Sequence, residues 1–209
     1  MEEKKDFRPR LPPWIRVKVA GGSSKSQVES ILKGLSLNTV CESAECPNLN
    51  ECWHHRTATF MIMGDKCTRN CKFCAVGHSE TPGPLEENEP GRIAEAVLKM
   101  GLKYVVITSV TRDDLPDGGA SHFAKVIRKI REECPGTDIE VLTPDFQGNV
   151  DCVNTVLHEV PTVFNHNVET VERLSRQIRS KADYKRSLKV LNSAMELSNG
   201  LIPVKSGLM

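Results

Sequence analysis

No stretch of this chain is apolar for long enough to cross a bilayer. Its strongest run, Tyr104-Val105-Val106-Ile107, falls far short of the ~20 residues that a spanning helix needs. Nor is one sign of charge in excess: 28 Lys plus Arg stand against 27 Asp plus Glu, a formal net charge of +1. That balance gives no field to draw in nucleic acid or an anionic lipid surface. Glu2, Glu3 and Asp6 are out of place in a secretory or organelle-import leader, and neither tandem repeats nor low-complexity tracts occur. We therefore expect a cytoplasmic protein that works with neither nucleic acid nor membrane. Without an export signal, the eight cysteines are poor candidates for structural disulfides and better ones for metal ligands. Six of them fall between Cys41 and Cys74, leaving Cys134 and Cys152 apart.

The 209 residues divide by pattern. Residues 1–56 read as an N-terminal arm and a cysteine-rich segment, and residues 57–209 as an α/β unit. Over the first 15 residues, Pro9, Pro12 and Pro13 among charges favour an extended arm. Gly21 to Ser26 reads as a flexible link. In Gln27 to Leu37, Val28, Ile31, Leu32 and Leu35 form the stripe of a short amphipathic helix. From Thr57 onward strand and helix signals alternate, which argues for parallel strands joined by crossover helices. The strands are expected at Ala58 to Gly64, Tyr104 to Val110, Ile139 to Thr143, Thr162 to Asn167, and an incomplete Ile202 to Met209. One helix starts near Pro90 and stops at Gly101, and a second carries Phe123, Val126, Ile127 and Ile130 inward as far as Pro135-Gly136. A third runs from Tyr184, with Leu188, Leu191 and Met195 as its apolar stripe and Asn199-Gly200 as its stop. Repeated βα units of this kind curve into a partial (β/α) barrel with its functional residues at the carboxyl ends of the strands.

The segment DKCTRNCKFC places Cys67, Cys71 and Cys74 with three and then two intervening residues, directly after the first expected strand. Three thiolates on one loop leave the fourth iron of a 4Fe-4S cube open to an outside ligand. The competing reading is a zinc site, for which His78 stands four residues beyond Cys74. Upstream, CESAECPNLNEC spaces Cys41, Cys46 and Cys52 with four and then five intervening residues. These could be small buried hydrophobes, but Glu42, Glu45, Asn48, Asn50 and Glu51 make the segment too polar for a core strand. A second cube is the better expectation.

The Cys67 spacing resembles the signature of the radical S-adenosylmethionine superfamily. The two triplets together, with RLPPWI, ATFMIMGDKCTRNCKFC, ITSVTRDDLPDGGA, VLTPDFQG, NHNVET, DYKRSL and KSGLM, are similar to the lipoyl synthase family over nearly the whole chain. A biotin synthase, another radical sulfur-inserting enzyme, resembles the chain at Cys67 to Cys74 but should lack the upstream triplet. An iron-sulfur electron carrier or a zinc-binding module is the rival of a different class. The lipoyl synthase resemblance implies two 4Fe-4S clusters and S-adenosylmethionine. Cys67, Cys71 and Cys74 would hold the catalytic cluster that generates a 5'-deoxyadenosyl radical. Cys41, Cys46 and Cys52 would hold an auxiliary cluster that gives up its sulfide. The implied substrate is an octanoyl chain on a lysine of a lipoyl carrier domain or glycine-cleavage H protein, with sulfur inserted at carbons 6 and 8. An electron donor is implied as well.

Position and likeness together suggest Gly118 and Gly119, after Asp117, for backbone approach to the methionyl amine, and Asn167 and Glu169 for the ribose. A plain turn and a helix cap are the alternatives. Phe73 is expected to shield the cube. His54-His55 is expected to be solvated, and His122, His158, Cys134 and Cys152 to serve packing or surface. The family's pattern is departed from at Asn70 and in the shorter stretch over residues 54–56. The resemblance further implies that the chain stops at Met209 inside a fifth-strand glycine segment. It would then lack an Arg-Ser-Ser-Tyr segment whose serine is the fourth ligand of the auxiliary cluster. On that ground we expect this chain alone to be poorly soluble and to make no lipoyl product.

Overall fold

In the computed structural model, residues 23–209 are described apart from 44, 45, 47 and 180, and only the backbone is described at 23–25, 50 and 54. The extended arm expected over residues 1–15 lies outside them. Helix α1 (Ser23–Gly34) starts at Ser23, so from that residue onward it replaces the expected flexible link. Its stripe packs as foreseen, with Val28 and Leu32 buried and Ile31 and Leu35 against the core. Ser36 closes it in the left-handed region at φ 50°, while the Leu37 N–H reaches the Leu32 carbonyl at 3.0 Å, an ending that more often uses glycine. A two-residue strand follows, β1 (Asn38–Thr39), then short helices α2 (Val40–Ser43) and α3 (Leu49–His54), which carry Cys41 and Cys52, with Cys46 between them.

Strands β2 (Thr57–Ile62), β5 (Tyr104–Ser109), β6 (Asp138–Leu142), β7 (Val163–Asn165) and β8 (Val204–Lys205) lie parallel and side by side in that order; β1 adds an antiparallel edge to β2. Between β2 and β5, a separate parallel pair, β3 (Lys66–Cys67) with β4 (Gly77–His78), frames the second triplet. The crossovers run through α4 (Glu89–Met100), α5 (Ala120–Glu133) and α6 (Val150–Leu157), with α7 (Glu172–Ile178) and α8 (Tyr184–Leu197) together joining β7 to β8. Helix α4 packs on α5, α5 on α6 and α6 on α8. Strands in chain order behind such a row of helices form the arc of a partial (β/α) barrel.

Alternation of side chains along each strand sorts this arc into two faces. Phe60, Ile107, Val141 and Phe164 share one register row, and each is fully buried in the core. That core includes Phe123, Val126, Ile127 and Ile130 of α5, all inward as the sequence predicts. Burying each such side chain contributes about 1.5–3 kcal/mol. The next register row, Met61, Thr108, Leu142, Asn165 and Lys205, faces the concave side. The expected punctuation of α4 is also found: Pro90 sits in its first turn and Gly101 ends it at φ 58°.

The stripe expected on α8 is wrong. Leu188 and Met195 are 44% and 57% exposed and Leu191 is half-buried, whereas Ser187, Val190, Ser193 and Ala194 are buried. Small side chains let α8 approach α6 and the strands closely, which the larger leucines could not do. Helices α6 and α7 and the edge strand β1 were not foreseen. His122, Cys134 and Cys152 are buried packing residues, and His158 is exposed. His55 is exposed, while the side chain of His54 lies outside those described.

Candidate functional site

The loop between β3 and β4 is tied down over residues 68–72. The Thr68 N–H donates to the Thr111 carbonyl at 3.0 Å and its hydroxyl to the same carbonyl at 2.9 Å, and Lys181 Nζ donates to the Thr68 carbonyl at 3.0 Å. The Lys72 N–H donates to the Ile178 carbonyl at 2.9 Å. The Cys67 sulfur accepts N–H groups from Arg69 at 3.4 Å and Thr111 at 3.3 Å. Arg69 anchors the centre of the loop. Its Nε and Nη2 donate to Asp113 at 2.7 Å, and its Nη2 and Nη1 donate to Asp145 at 2.7 and 3.0 Å. Asp113 follows β5 and Asp145 follows β6, so one guanidinium fixes the cysteine loop to two strand ends. Burial works against the charged form of Arg69, but hydrogen bonds to Asp113 and Asp145 outweigh it and raise its pKa.

A cavity of about 310 Å³ opens at the carboxyl ends of the strands. Cys67, Cys71, Cys74 and Phe73 line it together with Asn167, Glu169, His166 and Arg179. Phe73 is also 42% exposed. Burial raises the Cys71 pKa, Arg179 acts against that rise, and the neighbouring thiols Cys67 and Cys74 add to it. Val40 and Thr59 form another part of the wall. Beside them, burial raises the Cys41 thiol pKa, a backbone hydrogen bond from Thr59 lowers it, and Cys46 and Cys52 raise it further. Within each triplet the thiols act on one another's charge; Cys67, Cys71 and Cys74 line the cavity, whereas the first triplet approaches it through Val40, next to Cys41. Among the described residues no group of three or more His, Cys, Asp or Glu is placed to hold a metal ion. The donors nonetheless suit an iron-sulfur cluster in kind: three thiols per set, with backbone N–H groups directed at a sulfur, as cluster sulfurs receive them.

Of the residues proposed to touch the cofactor, Asn167 and Glu169 reach the cavity, whereas Gly118 and Gly119 are not among its lining residues. Asn167 Oδ1 accepts the Gly207 N–H at 2.9 Å. The glycines sit in left-handed conformations, φ 58° and 88°, at the start of α5, where Asp117 accepts the Gly119 N–H at 2.9 Å. A Cβ on Gly119 would collide with the Met63 sulfur and lie 2.6 Å from its methyl carbon. The Met63 tip is a flexible side-chain end that can move aside, so Gly119→Ala is expected to cost about 1–3 kcal/mol in urea denaturation chiefly through backbone strain at φ 88°. S-adenosylmethionine affinity should stay unchanged, and a fall in affinity at preserved stability would return the glycine to the cofactor.

Sequence reasoning missed Arg69, Asp113, Asp145, His166 and Arg179, because each acts through contacts between distant loops. His166 is 1% exposed, and its Nδ1 lies 2.9 Å from the Thr143 carbonyl, so that nitrogen carries the proton. Burial pushes its pKa down and keeps the ring neutral, and Nε2 has no partner among the described residues.

A cysteine loop after the first parallel strand of an open barrel is the arrangement of the radical SAM superfamily, whose family model matches residues 61–209. The model for the N-terminal domain of lipoyl synthase matches residues 1–46. The chain is 55% identical to a lipoyl synthase of Caldanaerobacter subterraneus over 96% of its own length and 69% of the relative's. It is 54% identical to that of Rubrobacter xylanophilus, over 95% of this chain and 61% of the relative. The chain belongs to the lipoyl synthase family. Against these relatives and that of Chloroflexus aurantiacus it spans 61% to 69% of their length. Among solved structures, a methylornithine synthase aligns with TM-score 0.58 at 14% identity, over 87% of this chain and 55% of the other. An FeFe-hydrogenase maturase from Carboxydothermus hydrogenoformans aligns with TM-score 0.59 at 15% identity, over 88% and 48%. At such identities the likeness speaks for the fold alone. No helix among the described residues is long and apolar enough to cross a membrane.

Proposed function

We propose that the chain performs the radical half and the sulfur-donating half of lipoyl synthesis in the cytoplasm. Residues 57–209 act as the radical S-adenosylmethionine barrel, and residues 1–56 as the arm and auxiliary-cluster segment. The carrying observation is a single cavity that has Cys67, Cys71 and Cys74 in its wall and Val40, next to Cys41, in the same wall. Bound there, a 4Fe-4S cluster and S-adenosylmethionine supply reductive carbon-sulfur cleavage, and a second cluster supplies sulfur for carbons 6 and 8 of an octanoyl chain. The substrate is carried on a lipoyl carrier domain or glycine-cleavage H protein, and a low-potential donor supplies the electrons.

The chain's own residues bind and orient. Cys67, Cys71 and Cys74 hold the radical-generating cluster, and Cys41, Cys46 and Cys52 hold the auxiliary one. The Arg69 clamp keeps the loop in register with the strand ends, while Asn167 and Glu169 offer hydrogen-bonding groups to the cofactor's ribose. Gly118 and Gly119 shape the entry to α5 instead. Phe73, Met61, Val110 and Leu142 make the wall apolar, which excludes water from a reactive centre.

Anaerobic reconstitution followed by iron and acid-labile sulfide analysis tests this reading. The expected content is about two cubes per chain, with 5'-deoxyadenosine formed from S-adenosylmethionine under dithionite. Zinc in place of iron would favour a binding module, and iron without deoxyadenosine an electron carrier.

A further inference from the structure

Charge is compensated unevenly beneath the cysteine loop. Arg69 is neutralised by Asp113 and Asp145. Arg179 is only 8% exposed and lines the cavity with Cys67, Cys71 and Cys74, yet the acceptors that hold its side chain are neutral. Its Nη1 donates to the Val168 carbonyl at 2.9 Å and to the Ser187 hydroxyl at 3.3 Å. Among the described residues no carboxylate forms an ion pair with it, and the nearby Arg69 and Arg186 are both turned to Asp145. A guanidinium withdrawn from water without a counter-charge is unfavourable, because it has lost hydration and gained no partner. Such a group calls for an anion in the adjoining space.

The backbone says where that anion lies. The Lys72 N–H donates to the Ile178 carbonyl at 2.9 Å, so the residue after Cys71 is bonded to the residue before Arg179. This bond ties the backbone beside Arg179 to the cysteine loop, and Arg179 and Cys71 line the same cavity.

We infer that Arg179 is the counter-charge of the cluster at Cys67, Cys71 and Cys74, a positioning residue that compensates thiolate and cluster charge and raises the cluster's reduction potential. The inference rests on the assignment of a cluster to this triplet. A cluster held there would become more negative on taking one electron from a low-potential reductant such as dithionite. A fixed cation beside Cys71 stabilises the reduced form more than the oxidised one. Charge and hydrogen bonding around the sulfurs are general levers on such potentials.

The test is a redox titration followed by electron paramagnetic resonance, in the full chain carrying Cys46→Ala and Cys52→Ala so that the auxiliary triplet is disabled. Iron content is measured first, and its absence from the parent chain would mean that the cluster assignment itself has failed. With iron present, Arg179→Gln should lower the reduced-to-oxidised ratio at a fixed potential about tenfold, which is 59 mV for a one-electron couple. Arg179→Lys, which keeps the charge, should stay near the parent. Loss of iron in the glutamine variant with retention in the lysine variant also supports the counter-charge role. Loss in both would overturn it, since packing and not charge would then be what matters. An unchanged potential in Arg179→Gln overturns it as well, and if S-adenosylmethionine affinity falls at the same time, the guanidinium answers the cofactor's carboxylate instead.

Discussion

Cys71→Ala is expected to abolish 5'-deoxyadenosine formation, whereas Cys46→Ala should leave it in place. The difference follows from where the two thiols lie. Cys71 lines the cavity in a loop fixed by Arg69, and its thiol is coupled to Cys67 and Cys74. Two remaining thiolates cannot hold a cube that already leaves one iron open, so no site is left to reduce the cofactor. Cys46 belongs to the other set: its N–H donates to the Cys41 carbonyl at 3.0 Å, and its charge bears on Cys41 and Cys52. Among the described residues the backbone hydrogen bonds of Cys46 go to Cys41 and Leu49 and not to the Cys67 loop, so cofactor cleavage should persist in Cys46→Ala within about twofold of the parent, a margin of less than one kcal/mol in the barrier. Deoxyadenosine measured by chromatography after single-turnover reduction decides the matter. Equal loss in both variants would show that the roles of the triplets have been assigned wrongly or that the two sites fail as one.

The parallel strands were legible because their apolar runs are bounded by turn residues, and because a buried strand shows little competing periodicity. The α5 stripe was legible for a related reason: Phe123, Val126, Ile127 and Ile130 are large, evenly spaced and fully buried. Helix α8 reversed that logic, since its contact face is made of Ser187, Val190, Ser193 and Ala194, while Leu188 and Met195 are exposed. Size misled where closeness of approach was the constraint. Helix α6, with the sequence VDCVNTVL, is rich in β-branched residues and reads locally as strand. Its start is set by Asn149, whose side chain accepts the Asp151 N–H at 3.0 Å. Helix α7 has few apolar residues, and its placement depends on the cysteine loop through the Ile178 carbonyl. At the site, cysteine spacing announced itself in the sequence. The supporting charges did not: Arg69 and Asp145 are 76 residues apart, and only the fold brings them to 2.7 Å.

Asp145→Asn is expected to destabilise the chain by about 3 kcal/mol, toward the lower end of what breaking a buried ion pair costs. The Asp145 side chain is fully buried and takes hydrogen bonds from Arg69 at 2.7 and 3.0 Å, from the Gln147 N–H at 3.0 Å and from Arg186 at 3.4 Å. The asparagine keeps the shape and loses the charge, leaving Arg69 with Asp113 alone, whose side chain is 22% exposed. For a domain of this size the loss corresponds to roughly 6–12 °C in melting temperature. The pH dependence gives a second reading. Burial acts to raise the Asp145 pKa, but the hydrogen bonds and charge of Arg69 prevail and hold it below the ordinary carboxylate value. A carboxylate depressed on folding contributes stability that is present above its unfolded pKa, about 3.9, and is lost as pH falls through the folded value. The parent should therefore lose stability in acid more steeply than Asp145→Asn, and the two should converge at the lowest pH. The surface pair Lys99–Glu95, spaced i to i+4 on α4 with both side chains about half exposed, serves as the control. Glu95→Gln should change stability by only about 0.3–0.5 kcal/mol. Urea titrations from pH 7 downward on the metal-free chain measure all three proteins. If Asp145→Asn proved as mild as Glu95→Gln, Asp113 alone would suffice to hold the guanidinium, and the cysteine loop would owe its position to the Thr68, Lys72 and Lys181 hydrogen bonds instead.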